Sequence, residues 1–344
     1  MKVSTRVALA ACVALGAIVP ASATHSWGGY HWAGNGSNVT IKVNKAITSQ
    51  WTTSVNDSIS DWNASNELSL NGATASANAK KCSPIAGQIL VCNAAYGNRG
   101  WLGIASIWLT SGHINQATTK LNDSYFNSAQ YNTPAWRALV ACQEIGHDFG
   151  LDHQDETFNN VNLGTCMDYT NAPDGGVVGG FNYGPANRHP NTHDYEELNI
   201  IYNHDDGFTT TTASTNFGIR QVGVAAPREQ AGAGDSPAEW GRAIHRDAIG
   251  RPDVFQKDLG AGKKVLTHVF WAIGEGPKEE GTSVEPQPFR RYGCGKTVEC
   301  GFGRPAPMRV RRPVRSNGPG RSAVRKLDPG QLKPGSGFNR QRPR

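Results

Sequence analysis

Apolar and polar residues alternate through Val39-Thr40-Ile41-Lys42-Val43, which predicts a strand with one face buried. From Ile47 to Trp62 the period changes: Trp51, Val55, Ile59 and Trp62 recur at helical spacing on one face, so an amphipathic helix is expected, with both tryptophans in the core. A Gly- and Asn-rich stretch holding Cys82 and Cys92 leads to the apolar run Leu102–Leu109, a strand, and Gly112 to Asp123 reads as another. Thr133-Pro134 supplies the N-cap and first residue of a helix that Trp136, Leu139, Val140 and Gln143 carry to Phe149, where Gly150 ends it. Asn191 to His204 reads as a further helix, with Asp194, Glu196 and Glu197 near its positive end. A strand, a helix and further strands predict an α/β (α+β) layer over residues 24–208.

Beyond that body the pattern weakens. Residues 209–236, rich in Thr, Ala and Gly, read as a linker. Residues 237–288 alternate again, most clearly in Val265–Trp271, and predict a small β-rich module. In 289–344 Arg, Pro and Gly dominate, and no core is expected. Residues 1–23 have the form of a signal peptide: basic Lys2 and Arg6, an apolar stretch from Val7 to Val19, then Ala21-Ser22-Ala23 as the cleavage site. A secreted, extracellular protein is therefore expected. No later apolar run approaches the roughly 18–20 residues of a membrane span.

With 40 Gly, 19 Pro and 18% charged residues among 344, coiled coils and helical solenoids are excluded. The formal charge of +6 is misleading, because 289–344 alone holds 15 Lys and Arg against Glu299 and Asp328. With the signal and this tail both set aside the remainder is acidic, so no nucleic-acid partner is expected for the body; a monomer is expected. Cys12 leaves with the signal, and the other six cysteines fall in local pairs: Cys82 with Cys92, Cys142 with Cys166, Cys294 with Cys300. An even number in a secreted chain favours disulfides, although spacing alone leaves the connectivity open.

The candidate chemistry lies in Gln143-Glu144-Ile145-Gly146-His147-Asp148-Phe149-Gly150-Leu151-Asp152-His153, followed by Cys166-Met167-Asp168-Tyr169. On a helix, 143 and 147 stand one turn apart and project the same way, as two metal ligands must. Gly150 can take the left-handed conformation that returns His153 to the same centre as a third ligand, leaving Glu144 beside the metal as a base. The isolated histidines His25, His31, His189, His204, His245 and His268 receive no role, being surface or core residues on this reading.

The segment resembles the metzincin zinc endopeptidases, and within them the matrixin-like ones, whose signature is HExxHxxGxxH with a downstream Met-turn. The match covers Glu144, His147, Gly150, His153 and Met167. The resemblance implies a metzincin-like domain with a mostly parallel twisted sheet of five strands, an active-site helix and a Met-turn. It also implies Zn2+ held by His147 and His153, Glu144 as general base, Met167 beneath the metal, and Tyr169 reaching the zinc or the oxyanion. A Cys142–Cys166 bridge would then staple the helix to the Met-turn. Calcium in the Asp152–Asp174 loop would suit the resemblance, as would a plain solvated loop.

The chain departs from the signature at its first position, where Gln143 replaces histidine. An amide oxygen ligates zinc less strongly than imidazole. Three readings remain: Gln143 is a ligand, an outside histidine such as His113 or His193 completes the site, or the site is degenerate. The function that the resemblance implies is secreted zinc-dependent endoproteolysis of a protein or peptide substrate. The alternative is a catalytically impaired, metzincin-like binding protein that keeps the fold, with or without the metal.

Overall fold

The computed structural model describes residues 24–36, 38–211 and 233–277. The signal segment, most of the linker, the end of the 237–288 segment, the basic tail and the pair Cys294 and Cys300 lie outside the described residues.

The chain enters through β1 (His31–Trp32) and then forms β2 (Val39–Ala46), whose alternating Val39, Ile41 and Val43 are buried as the pattern requires. Helix α1 (Ser49–Trp62) follows, burying Trp51, Val55, Ile59 and Trp62 on one face. Strands β3 (Leu68–Thr74), β4 (Gln88–Ala94), β5 (Trp101–Thr110) and β6 (His113–Asn122) come next. The pattern does not announce β3 and β4. β3 has polar residues interleaved with a few apolar ones, and β4 is a short run inside a Gly- and Asn-rich stretch. The short α2 (Asp123–Phe126) leads to α3 (Pro134–His147), and the ribbon β7 (Val177–Val178) and β8 (Phe181–Asn182) precedes α4 (Thr192–Tyr202). After the linker come α5 (Pro237–Trp240), β9 (Arg242–Arg246), β10 (Pro252–Gly260) and β11 (Lys263–Trp271).

The strands form one nine-stranded sheet in the order β3-β2-β4-β6-β5-β11-β10-β9, with β1 beside β6. The pairs β2–β3, β2–β4, β4–β6 and β1–β6 are parallel, whereas β5–β6, β5–β11, β10–β11 and β9–β10 are antiparallel. The fold is thus mixed α/β, and the expectation of a mostly parallel five-stranded sheet holds only for its first half. The β-rich segment after the linker does not build a sheet of its own. β11 pairs with β5 from Lys263 opposite Thr110 to Trp271 opposite Trp101, so this segment widens the central sheet, and one compact unit spans the described residues.

Helices α1 and α3 pack together on the sheet, where Trp62 is fully buried and its Nε1 donates to the Cys142 carbonyl at 3.1 Å. On the other side Trp101, Trp240, Phe255 and Trp271 form a second apolar cluster that joins α5 and β9–β11 to β5. Two disulfides, Cys82–Cys92 and Cys142–Cys166, match the local pairing. They are compatible with an oxidising, extracellular setting. No helix among the described residues is long and apolar enough to cross a membrane.

Because Trp271 is 2% exposed and donates its Nε1 to the Pro252 carbonyl, Trp271→Ala should cost about 3–5 kcal/mol. Urea melts should show the loss as a shift of a single transition. Two separated transitions, with only the first one moved, would contradict a shared sheet.

Candidate active site

Helix α3 starts where Thr133 accepts the Trp136 N–H through its side chain at 3.2 Å, and its last turn delivers Gln143, Glu144 and His147, all fully buried. The chain then reverses at Gly150, whose φ is 103° and whose missing Cβ would stand 1.9 Å from the Tyr30 carbonyl oxygen. No other residue fits both the conformation and that approach. The reversal brings the His153 ring to 4.8 Å from that of His147, at 89° to it. Under the helix, a Cβ on Gly146 would lie 2.8 Å from Met167 Sδ, so the methionine packs directly against the helix backbone. The Cys142–Cys166 disulfide fastens helix to turn, and two residues past Met167 the Tyr169 ring lies 4.3 Å from that of His153. From the N-terminal segment Trp27 stacks on His147 at 4.9 Å, its backbone N–H donating to Gly150.

The hydrogen bonds of the three proposed ligands share one logic. His147 donates Nδ1–H to the Leu151 carbonyl at 2.8 Å, His153 sets Nδ1 against Glu156 at 3.3 Å, and Gln143 donates its Nε2 to the Cys166 carbonyl at 2.8 Å. Each residue is thereby oriented, and each leaves one acceptor, His147 Nε2, His153 Nε2 and Gln143 Oε1, buried without a hydrogen-bond partner. Buried acceptors of that kind are costly unless something binds them. Two imidazoles and an amide oxygen, oriented by their opposite atoms, suit a zinc ion.

His268, which reads along the sequence as an isolated surface or core histidine, projects into the same place from β11. Its Nε2 lies 2.8 Å from the Tyr169 hydroxyl and its Nδ1 3.3 Å from Glu144 Oε2, and its ring is 3.9 Å from that of His147. A donor atom from each of His147, His153 and His268 falls within 4.8 Å of the others. The only hint in the sequence is a histidine in mid-strand among Val265, Leu266, Val269 and Phe270, which by itself reads as a core residue. Gly103 of β5 is a second residue passed over: a Cβ there would meet Glu144 Cγ and Oε1 at 2.7 Å, so the strand needs glycine to pass the carboxyl.

With β11 in place, Gln143, Glu144, His147 and His268 are fully buried. Burial first, and the Asp148 carboxylate second, hold Glu144 well above the usual carboxylate range, against the backbone N–H of Ala105. Burial and the neighbouring His153 hold His147 well below the usual imidazole range, keeping it neutral as a ligand must be. Burial, then Asp253, push the Tyr169 phenol well above its ordinary value, so it stays a hydrogen-bond donor.

The outside histidines considered from the sequence go elsewhere: His113 Nε2 is 3.2 Å from Asp206, and the His193 ring lies 4.8 Å from that of His25. In the loop considered for calcium, Asp155 accepts from Thr157 and Asn160, and Asp168 from Leu163 and Asn187, so these carboxylates organise the loop itself. No protein-family model matches the chain, and no curated protein matches it.

Three outcomes are expected. Gly150→Ala should destabilise by at least about 1–3 kcal/mol, as read by thermal melting, because its conformation and the Tyr30 carbonyl both resist a Cβ. Gln143→Ala should weaken zinc binding about ten- to a hundred-fold in a competition titration while His268→Ala does not; the reverse order would make His268 the third ligand. The bond from Asp253 pushes the partly buried His245 up to about 9, so its stabilising charge is fully present below about pH 6.5 and fades as pH rises through 9. The melting temperature should fall across that window in the wild type and less so in His245→Gln.

Proposed function

We propose that the protein is a secreted, zinc-dependent endopeptidase of metzincin type, held closed by its own strand β11. The observation that carries this reading is the trio of oriented, buried, unpartnered acceptors on Gln143, His147 and His153, next to a buried carboxyl on Glu144. Zinc in that trio would acidify a bound water and polarise a scissile carbonyl. Glu144, kept protonatable by burial, is suited to take a proton from the attacking water and return it to the leaving amine. Tyr169 can donate its hydroxyl to the carbonyl oxygen as charge develops there.

Both groups are engaged by His268, so an incoming peptide must first displace it. The same peptide would need the place along β5 that β11 fills, since Gly103 and Glu144 touch directly beneath it. Closure by β11 therefore reconciles a complete set of catalytic groups with their burial. That burial also favours a second reading, a non-catalytic metal-binding protein.

The test is hydrolysis of an unfolded protein by the zinc-loaded full chain, run with a chelator, with Glu144→Ala and with His268→Ala. Cleavage should vanish with the chelator, fall at least about a hundred-fold in Glu144→Ala, and rise in His268→Ala. If neither folded, zinc-loaded wild type nor His268→Ala cleaves, the non-catalytic reading stands.

A further inference from the structure

A second group of histidines meets on the far side of β1. The Nε2 atoms of His31, His113 and His204 lie 3.3, 3.2 and 3.2 Å from a single atom, Asp206 Oδ1. His31 and His204 also bring their Nε2 atoms to 3.1 Å of each other. The other atoms are already committed: Asp206 Oδ2 accepts the Gly34 N–H at 2.9 Å, and His31 Nδ1 lies 2.7 Å from the Gly29 carbonyl. With Nδ1 donating to Gly29, His31 turns its Nε2 toward both a carboxylate oxygen and a second imidazole nitrogen. Acceptors packed this closely repel unless a proton or a metal ion lies among them.

Separations of this size serve hydrogen bonds, and they also match a group able to hold a metal ion. Donor atoms bound to tetrahedral zinc at about 2.0–2.1 Å stand about 3.3 Å apart. The triangle of His31 Nε2, His204 Nε2 and Asp206 Oδ1 has edges of 3.1, 3.2 and 3.3 Å. We infer that these residues form a second zinc site, with His113, on the same carboxylate oxygen, as fourth ligand or as its hydrogen-bonding support. The site is independent of the Gln143 centre and shares no residue with it. Its ligands come from β1, from the start of β6, which pairs with β1, and from the turn after α4, held to β1 by bonds such as Asp206 N–H to the Gly34 carbonyl. Zinc would act as a clip on the N-terminal segment, the segment that carries Tyr30 onto Gly150 and Trp27 onto His147.

The His204 side chain is 44% exposed, so its replacement leaves the core intact and zinc can reach the site from solvent. The experiment loads the full chain with Zn2+ alone, removes free metal and counts zinc per chain in the wild type, His204→Ala, Asp206→Asn and His153→Ala, with circular dichroism to verify folding. Both His204→Ala and Asp206→Asn should lose one zinc per chain, and His204→Cys should restore it, because thiolate is a good zinc ligand. Loading Co2+ instead should give the visible absorption of tetrahedral sites, which His204→Ala should reduce by the share of one site. The inference fails if folded His204→Ala and Asp206→Asn hold as much zinc as the wild type. Failure of the Gln143 centre has a different signature: His153→Ala would then lose no zinc while His204→Ala still does.

Discussion

The last turn of α3 buries an amide, a carboxyl and an imidazole away from solvent, and the rest of the structure answers to that constraint. Every polar atom placed there needs a partner or a reason to lack one. The Leu151 and Cys166 carbonyls, the Glu156 carboxylate and the Ala105 N–H supply partners for one side of each group. The opposite atoms of Gln143, His147 and His153 are left buried without a hydrogen-bond partner, which costs stability.

Meeting that constraint demands close approach of backbone to side chain, and three glycines make it possible. Gly103 lets β5 run over Glu144, Gly146 lets the helix sit on Met167, and Gly150 lets the Tyr30 carbonyl press into the reversal. The disulfide from Cys142 to Cys166 then holds helix and turn in register, so His153 and Tyr169 approach α3 from a fixed platform. Packing and chemistry are thus one problem here, solved by the same residues.

Much of this was legible in the sequence, for identifiable reasons. Elements with a strong period, α1, α3, β2 and β5, fall where the pattern puts them, because each buries one face or two against a single core. Glu144, His147, Gly150, His153 and Met167 lie within one short helix–loop–turn, so their spacing along the chain reports their spacing in space. His268 was not legible, since its partner Glu144 is 124 residues away and only the pairing of β11 with β5 joins them. The same holds for His31, His113 and His204, which read as unrelated until β1, β6 and the end of α4 are brought together. Strand patterns said that residues 237–288 would be β-rich, but a pattern does not say which sheet a strand will join.

Nine of the ten residues of β5 are buried, and β11 supplies the hydrogen bonds along one whole side of it. A chain cut within the linker would lose that neighbour and present a long, flat, apolar row of unsatisfied N–H and C=O groups to solvent. Such a row recruits the next extended segment it meets, whether from another copy of the protein or from an unfolded client. The hairpin of β10 and β11 therefore covers this edge of β5 and the buried histidines with the same residues.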